Sequence, residues 1–432
     1  MEMGKSEQNR YILLCVMSTL LLISKTDFII YDFILVLLSF PLLRRPVSFI
    51  PLLFVASWSQ TFGVLGLGAF YYYYLLFIFS LFFSNKMDKE YVGKSSLTLA
   101  YLCFALWIIL TMFKSVSHEM SYAIKLSITI VLVFVATNFR FNSSGYCNKC
   151  VLWISFTASF FFFYRSAFCP VEYVVETARS WGTEVETFTS IMEGVNPNSA
   201  SPIVAILTII LLIECVKRHN PIYLIPSLLN MYTMVFLGSR TSFYAMAIVL
   251  AYYFFMFTKV SRRVKIIAII VALLVMAFAI HFINTMDTHL ADSVVEDEGS
   301  GRFVTWALLM VNVVPKYWLW GIGVGRENYD ALGYSFDADN LYIDLLCQTG
   351  IVGFALFFYL LLFTIRKARQ ISKISNTTDY VYIILVGFIF FGVGESIFNT
   401  LLFWGTMLYV NSIIDLGQKR SPKPCLVDNK DS

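Results

Sequence analysis

Arg240 and Arg302 are the cations of this sequence best placed to do chemistry. Each stands in or beside apolar sequence, where a charge costs roughly 2.5–3.5 kcal/mol on insertion scales and so marks function. A guanidinium presents a planar fork of donors that matches phosphate oxygens two at a time. Arg240 lies in Gly238-Ser239-Arg240-Thr241, directly ahead of an apolar run. Two similar junctions are Asn196-Pro197-Asn198-Ser199 and Asp339-Asn340, each again ahead of an apolar run. A helix that starts at such a junction offers unpaired N–H groups and a partial positive charge, which together bind anions. Asn198, Ser239 and Asp339 also read as plain helix caps. Arg240 does not, because capping needs no cation. The other reading of both arginines is an ion pair with one of the acids near them.

The remaining chemical candidates are weaker. Arg165, within an apolar run, can snorkel to a surface. Glu395 is an isolated carboxylate between two apolar runs and calls for a cation, an arginine above all. His281 and His289 lack a companion motif. Glu296-Asp297-Glu298 reads as solvated loop charge more readily than as a cation site. Cys147 and Cys150 form a C-x-x-C without the further ligands a zinc site needs, so they read as ordinary thiols in a reduced loop. Gly321-Ile322-Gly323-Val324-Gly325 has no βαβ unit around it and is no dinucleotide loop. It is expected to be a tight turn that packs backbone against a substrate.

The elements that must position these residues follow from composition. Of 432 residues, 58% are hydrophobic and only 14% charged, with 41 Phe and 25 Tyr. Soluble domains carry about 25% charged residues, so a soluble fold is excluded. The expected fold is all-α: a polytopic integral membrane protein occupying residues 1–432, with about 12–14 transmembrane helices. Fourteen apolar segments are legible, near 11–24, 27–43, 46–57, 62–83, 96–113, 121–137, 150–169, 200–216, 221–237, 241–258, 264–283, 341–365, 379–393 and 397–415. With both termini in the cytoplasm, 23 of the 32 Lys and Arg fall on the cytoplasmic side, as the positive-inside rule requires. Tyr11–Ser24 lacks a small-residue cleavage site and is expected to be an uncleaved span.

Two outer loops are then long, 170–199 and 284–340, and both are acidic. Within the second, Arg302 to Val314 is apolar but too short to span. It is expected to be a helix lying at the membrane interface or packed on the bundle, with Trp306, Trp318 and Trp320 at headgroup level. All three junctions above face outward in this orientation.

In order and spacing, the pieces N-P-N at 196–198, G-S-R-T at 238–241, S-G-R-x-x-x-W at 300–306, G-I-G-V-G at 321–325 and D-N-L-Y-I-D-L-L-C-Q-T-G-I-V-G at 339–353 resemble the O-antigen ligase and O-antigen polymerase superfamily of bacterial membrane glycosyltransferases. The resemblance covers about half the chain, roughly 190–400; earlier spans match in hydrophobicity alone. It implies a membrane glycosyltransferase fold, GT-C-like, with a large periplasmic loop in the bacterial inner membrane. It implies transfer of a glycan from undecaprenyl diphosphate at the periplasmic face, without a nucleotide sugar, cofactor or metal. Carried over, Arg240 and Arg302 grip the diphosphate with Arg326 assisting. Asn198, Ser239, Asn340 and Glu395 complete the substrate-binding set, and Asp339 assists the acceptor hydroxyl. Ligases of the family show His-Asn where this chain has Asp339-Asn340, which favours a polymerase over a ligase that joins polysaccharide to lipid A core. A lipid-linked oligosaccharide flippase is the reading from another class; it is disfavoured because the polar residues cluster at one face rather than through many spans. Implied partners are the lipid-linked oligosaccharide, membrane lipids, a chain-length regulator and a flippase, with no nucleic acid.

Overall fold

In the computed structural model the described residues are 5–24, 29–58, 63–83, 89–91, 96–141, 144–168, 173–177, 184–188, 197–237, 240–257, 302–334, 338–374, 379–398 and 400–418. They form α1 (Lys5–Ile23), α2 (Ile29–Leu42), α3 (Phe49–Ala56), α4 (Ala69–Phe83), α5 (Ser96–Met112), α6 (Ser121–Thr137), α7 (Ser144–Phe168), α8 (Pro197–Arg218), α9 (Leu224–Leu237) and α10 (Arg240–Phe257). After these come α11 (Arg302–Asn312), α12 (Glu327–Ala331), α13 (Leu341–Ile374), α14 (Asp379–Phe391) and α15 (Leu401–Gln418). Thirteen of the fourteen expected apolar segments coincide with a helix, and the segment 264–283 lies outside the described residues. Three short antiparallel ladders accompany the helices. One of them, Tyr173–Thr177 with Glu184–Phe188, falls in the loop expected at 170–199.

The protein is an all-α membrane protein. Among the described residues three helical stretches, Tyr146–Phe168, Ala200–Arg218 and Leu341–Gln370, are long and apolar enough to cross a bilayer, and seven further apolar helices have 10–17 residues. Large apolar side chains such as Phe33, Leu37, Phe40, Phe79, Phe82 and Phe113 stand exposed on helix surfaces. Lipid tails are as apolar as these side chains, so helix association has to come from close packing and interhelical hydrogen bonds. The centre shows both. Phe403 packs edge-on against Trp404 and Phe388 and tilted against Phe357, at ring-centroid separations of 5.0–5.2 Å, and Asn411 of α15 donates to the Tyr101 hydroxyl of α5 at 2.9 Å.

One helix is broken. Gly350 takes φ 65°, ψ −174° inside α13, so Leu341–Thr349 and the residues after Gly350 are separate helical pieces. The carbonyls released by the break are satisfied from elsewhere, as buried backbone polar groups must be. Ile322 N donates to Cys347 O at 2.8 Å, Gly323 N to Gln348 O at 3.1 Å and the Trp107 indole to Thr349 O at 2.9 Å. On the far side of the break Ile351 N reaches Trp318 O at 2.8 Å.

This arrangement corrects the reading of the glycine turn. Gly321, Gly323 and Gly325 all have positive φ, as expected for a tight turn. Their backbone packs on protein, not on open space for a substrate. A side chain at Gly321 would run into the backbone of Gln348 and Thr349, and one at Gly323 into Ser115. The turn clasps the broken helix. The C-x-x-C also differs from expectation: Cys147 and Cys150 are buried within α7, with Cys147 Sγ near Val47 O at 3.6 Å, not in a loop.

Candidate functional site around Arg302 and Asp339

The first turn of α13 positions most of the site. Asn340, not Asp339, caps it: Asn340 Oδ1 accepts from Tyr342 N at 3.0 Å and Ile343 N at 3.2 Å. Asn340 Nδ2 donates to Val393 O at 2.8 Å, and Leu341 N to Gly392 O at 2.7 Å. The turn that joins α14 to α15, residues 392–396, is thereby laid along the start of α13. Gly392 and Gly394 allow this approach. A side chain at the first would strike Leu341, and at the second Thr241, the residue after Arg240.

Arg302 and Asp339 meet on this platform. Arg302 is the first residue of α11; its Nη1 donates to Gly394 O at 3.3 Å and its Nη2 lies 3.6 Å from Asp339 Oδ2. The two side chains are 27% and 48% exposed, so the pair is open to solvent or ligand. Asp339 has φ 43°, the left-handed region that aspartate tolerates better than most residues. A side chain held in that region at a charged junction points to function more than to packing.

The other expected residues fall as follows. Arg240 opens α10, and the side chain of the next residue, Thr241, packs against Gly394. Asn198 lies in the first turn of α8, which packs on α10. Nothing is described of either side chain, and Ser239, His281, His289 and Glu296-Asp297-Glu298 lie outside the described residues. Glu395 is half-buried, next to the carbonyl that Arg302 holds. Arg326 is exposed at the start of α12, and Arg165 is in the last turn of α7. Among the described residues no group of three or more His, Cys, Asp and Glu is arranged to hold a metal ion.

The helix α11 is amphipathic in place: Leu309 is buried, while Phe303, Val304, Leu308, Met310 and Val311 are exposed. Of the three tryptophans, Trp318 is exposed, Trp306 donates to Ala338 O at 2.7 Å, and Trp320 stacks on Trp107 at 4.7 Å.

Sequence reasoning passed over Asp344. It is fully buried and accepts hydrogen bonds from Tyr329, Gln348 and Ser396. Burial, and then the negative charge of Asp344, hold the Tyr329 hydroxyl protonated well above its ordinary pKa. The signal was present: Asp344 is the one acid between Leu341 and Ile374, and an ionisable group inside an apolar helix marks a special position.

Comparison with known families agrees with the motifs. A family model described as O-antigen ligase matches residues 225–358, a stretch that includes Arg240, Arg302, Arg326, Asp339 and Asn340 and ends before Glu395. Among curated proteins none matches the chain.

Proposed function

From the match of residues 225–358 to a family model described as O-antigen ligase, consistent with the O-antigen ligase/polymerase superfamily, we propose that this protein is an O-antigen or related surface-polysaccharide polymerase. It moves the growing glycan from undecaprenyl diphosphate onto the non-reducing end of a new lipid-linked repeat unit. The site faces the periplasm and both termini face the cytoplasm of a bacterial inner membrane. The segments expected outside, 302–340 and 392–396, meet at one end of the bundle, which supports this orientation.

The observation that carries the reading is the Arg302–Asp339 pair. At 3.6 Å, with both partners partly exposed, it is worth about 0–1 kcal/mol. An incoming diphosphate therefore takes the guanidinium at little cost, and its bidentate fit outcompetes the long contact with one carboxylate oxygen. Donor arrival parts Asp339 from Arg302 in the same event. The Asp339 carboxylate then accepts the proton of the acceptor hydroxyl. The acceptor oxygen bonds to the anomeric carbon as the bond to the diphosphate oxygen breaks, with its electron pair leaving on the diphosphate. Attack opposite the leaving group inverts the anomeric configuration. Arg302, with Arg240 at the positive end of α10, stabilises the charge that develops on the leaving group. In this reading the arginines supply the charge that a metal would otherwise bring. Arg326, Asn198, Ser239 and Glu395 complete the substrate-binding set, and Asn340 shapes the turn beneath it.

The test is a gel of surface polysaccharide from a deletion strain. Lipid A core bearing a single repeat unit in place of a ladder is the expected result. Bare core with polymer accumulating on the carrier lipid would identify a ligase and overturn the role drawn from Asp339.

A further inference from the structure

The turn at 392–396 is tied to α13 at both of its ends. Leu341 N and Asn340 Nδ2 hold the carbonyls of Gly392 and Val393, and Ser396 Oγ donates to Asp344 Oδ2. Between these ties stands the Gly394 carbonyl that receives Arg302. On its other oxygen Asp344 accepts the Tyr329 hydroxyl at 2.5 Å and the Gln348 amide at 2.9 Å. Gln348 in turn accepts Gly325 N through Oε1 at 3.1 Å. Asp344 thus gathers donors from three segments: α12, the turn 52 residues on and its own helix. A buried carboxylate is costly unless its lone pairs are filled, so these donors are held firmly. A carboxylate also accepts only, so all three approach it as donors without conflict.

We propose that Asp344 is a positioning residue for glycan transfer. Through Ser396 it sets the height of the Gly394 carbonyl, and that carbonyl holds Arg302 in reach of both Asp339 and the leaving group. Through Tyr329 it anchors α12, which begins next to Arg326. Gly394 has no freedom to compensate, because its Cα already rests on Thr241. A small displacement of a charge-stabilising group is enough to cost a large factor in rate. This inference rests on Arg302 acting on the diphosphate.

The test is a double-mutant cycle on the full-length protein in liposomes, supplied with a polyprenyl-diphosphate-linked oligosaccharide. Ser396→Ala should lower kcat roughly tenfold, the size expected for losing one hydrogen bond to a charged group, with a smaller change in KM for the donor. Ser396→Thr, which keeps the hydroxyl, should restore most of the rate. In an Arg302→Lys background, Ser396→Ala should cost less than about threefold more, because the fork it positions is already gone. If Ser396→Ala is poorly folded by its melting temperature, Tyr329→Phe, which removes one hydroxyl alone, completes the same cycle. Full additivity of the losses would overturn this inference while leaving the reaction assignment intact. Absence of transfer by the wild-type protein would overturn the reaction assignment and this inference with it.

Discussion

Two arginine–carboxylate pairs, one at the end of α8 and one beside the start of α13, show how structure separates a structural ion pair from one suited to function. Arg218 Nε meets Glu214 Oε2 at 2.6 Å, one helical turn apart on α8, with the carboxylate only 9% exposed. Its neighbourhood is similarly closed: Tyr380 bonds Asn148 at 2.8 Å and Tyr409 at 2.5 Å, and Cys15, Ser48 and Tyr146 bond one another in the core. Arg302 and Asp339 lie 3.6 Å apart, come from different segments, and keep much of their surface open. The first pair is made by local geometry and its acid is sealed; the second is long, open and supported by a carbonyl. A tight pair of this kind braces its own helix end, whereas a loose one can exchange its partner for a ligand.

Mutations can break that contrast in order of expected effect. Arg302→Ala or Arg240→Ala should lower transfer by about 10²–10³-fold or more while the protein still inserts, since the developing charge loses its donor; normal polymer from both variants on a polysaccharide gel would sink the diphosphate assignment. Arg302→Lys should recover only part of that rate, because an ammonium lacks the bidentate fork, and a lysine variant equal to wild type in initial rate would mean that charge alone suffices. Asp339→Asn should fall well below wild type, and Asp339→His should retain more activity than Asn, since imidazole can still take a proton. Full activity in the Asn variant would remove Asp339 as base. Arg218→Ala should leave kcat unchanged and lower stability by about 1–2 kcal/mol, by stranding the mostly buried Glu214. A thermal melt with an activity assay checks it, and a loss of kcat without a loss of stability would erase the distinction between the two pairs.

Much of the fold was legible from the residues. Apolar runs long enough for a bilayer read as helices whatever their neighbours, and thirteen of them are helices here. Arg302 was legible as a cation out of place in such a chain, and Asp339 as a polar residue at a helix junction whose role the family resemblance implied. That they meet was not, because 37 positions of sequence separate them and periodicity carries no information at that range. The glycine run was legible as a turn, but its purpose was not. Whether a bare backbone faces a ligand or another backbone depends on what packs there, and here the neighbour is the helix end at Gln348. The contacts of Asp344 were hidden for a related reason. Its place as a lone acid in an apolar helix was legible, and Gln348 lies one helical turn on, but no local pattern joins it to Tyr329 or to Ser396.

The sequence by itself determined a helical membrane protein, the ends of most of its helices, and the few charged residues whose cost in such surroundings demands a reason. Composition and period are local properties, and the bilayer reads them locally. Tertiary structure alone decided that α13 breaks at Gly350, that the glycine turn repairs the break, and that the turn at 392–396 carries Arg302 to Asp339. Those outcomes depend on which backbone donors and acceptors are left over once helices pack, and away from water each leftover group must find its partner across the fold.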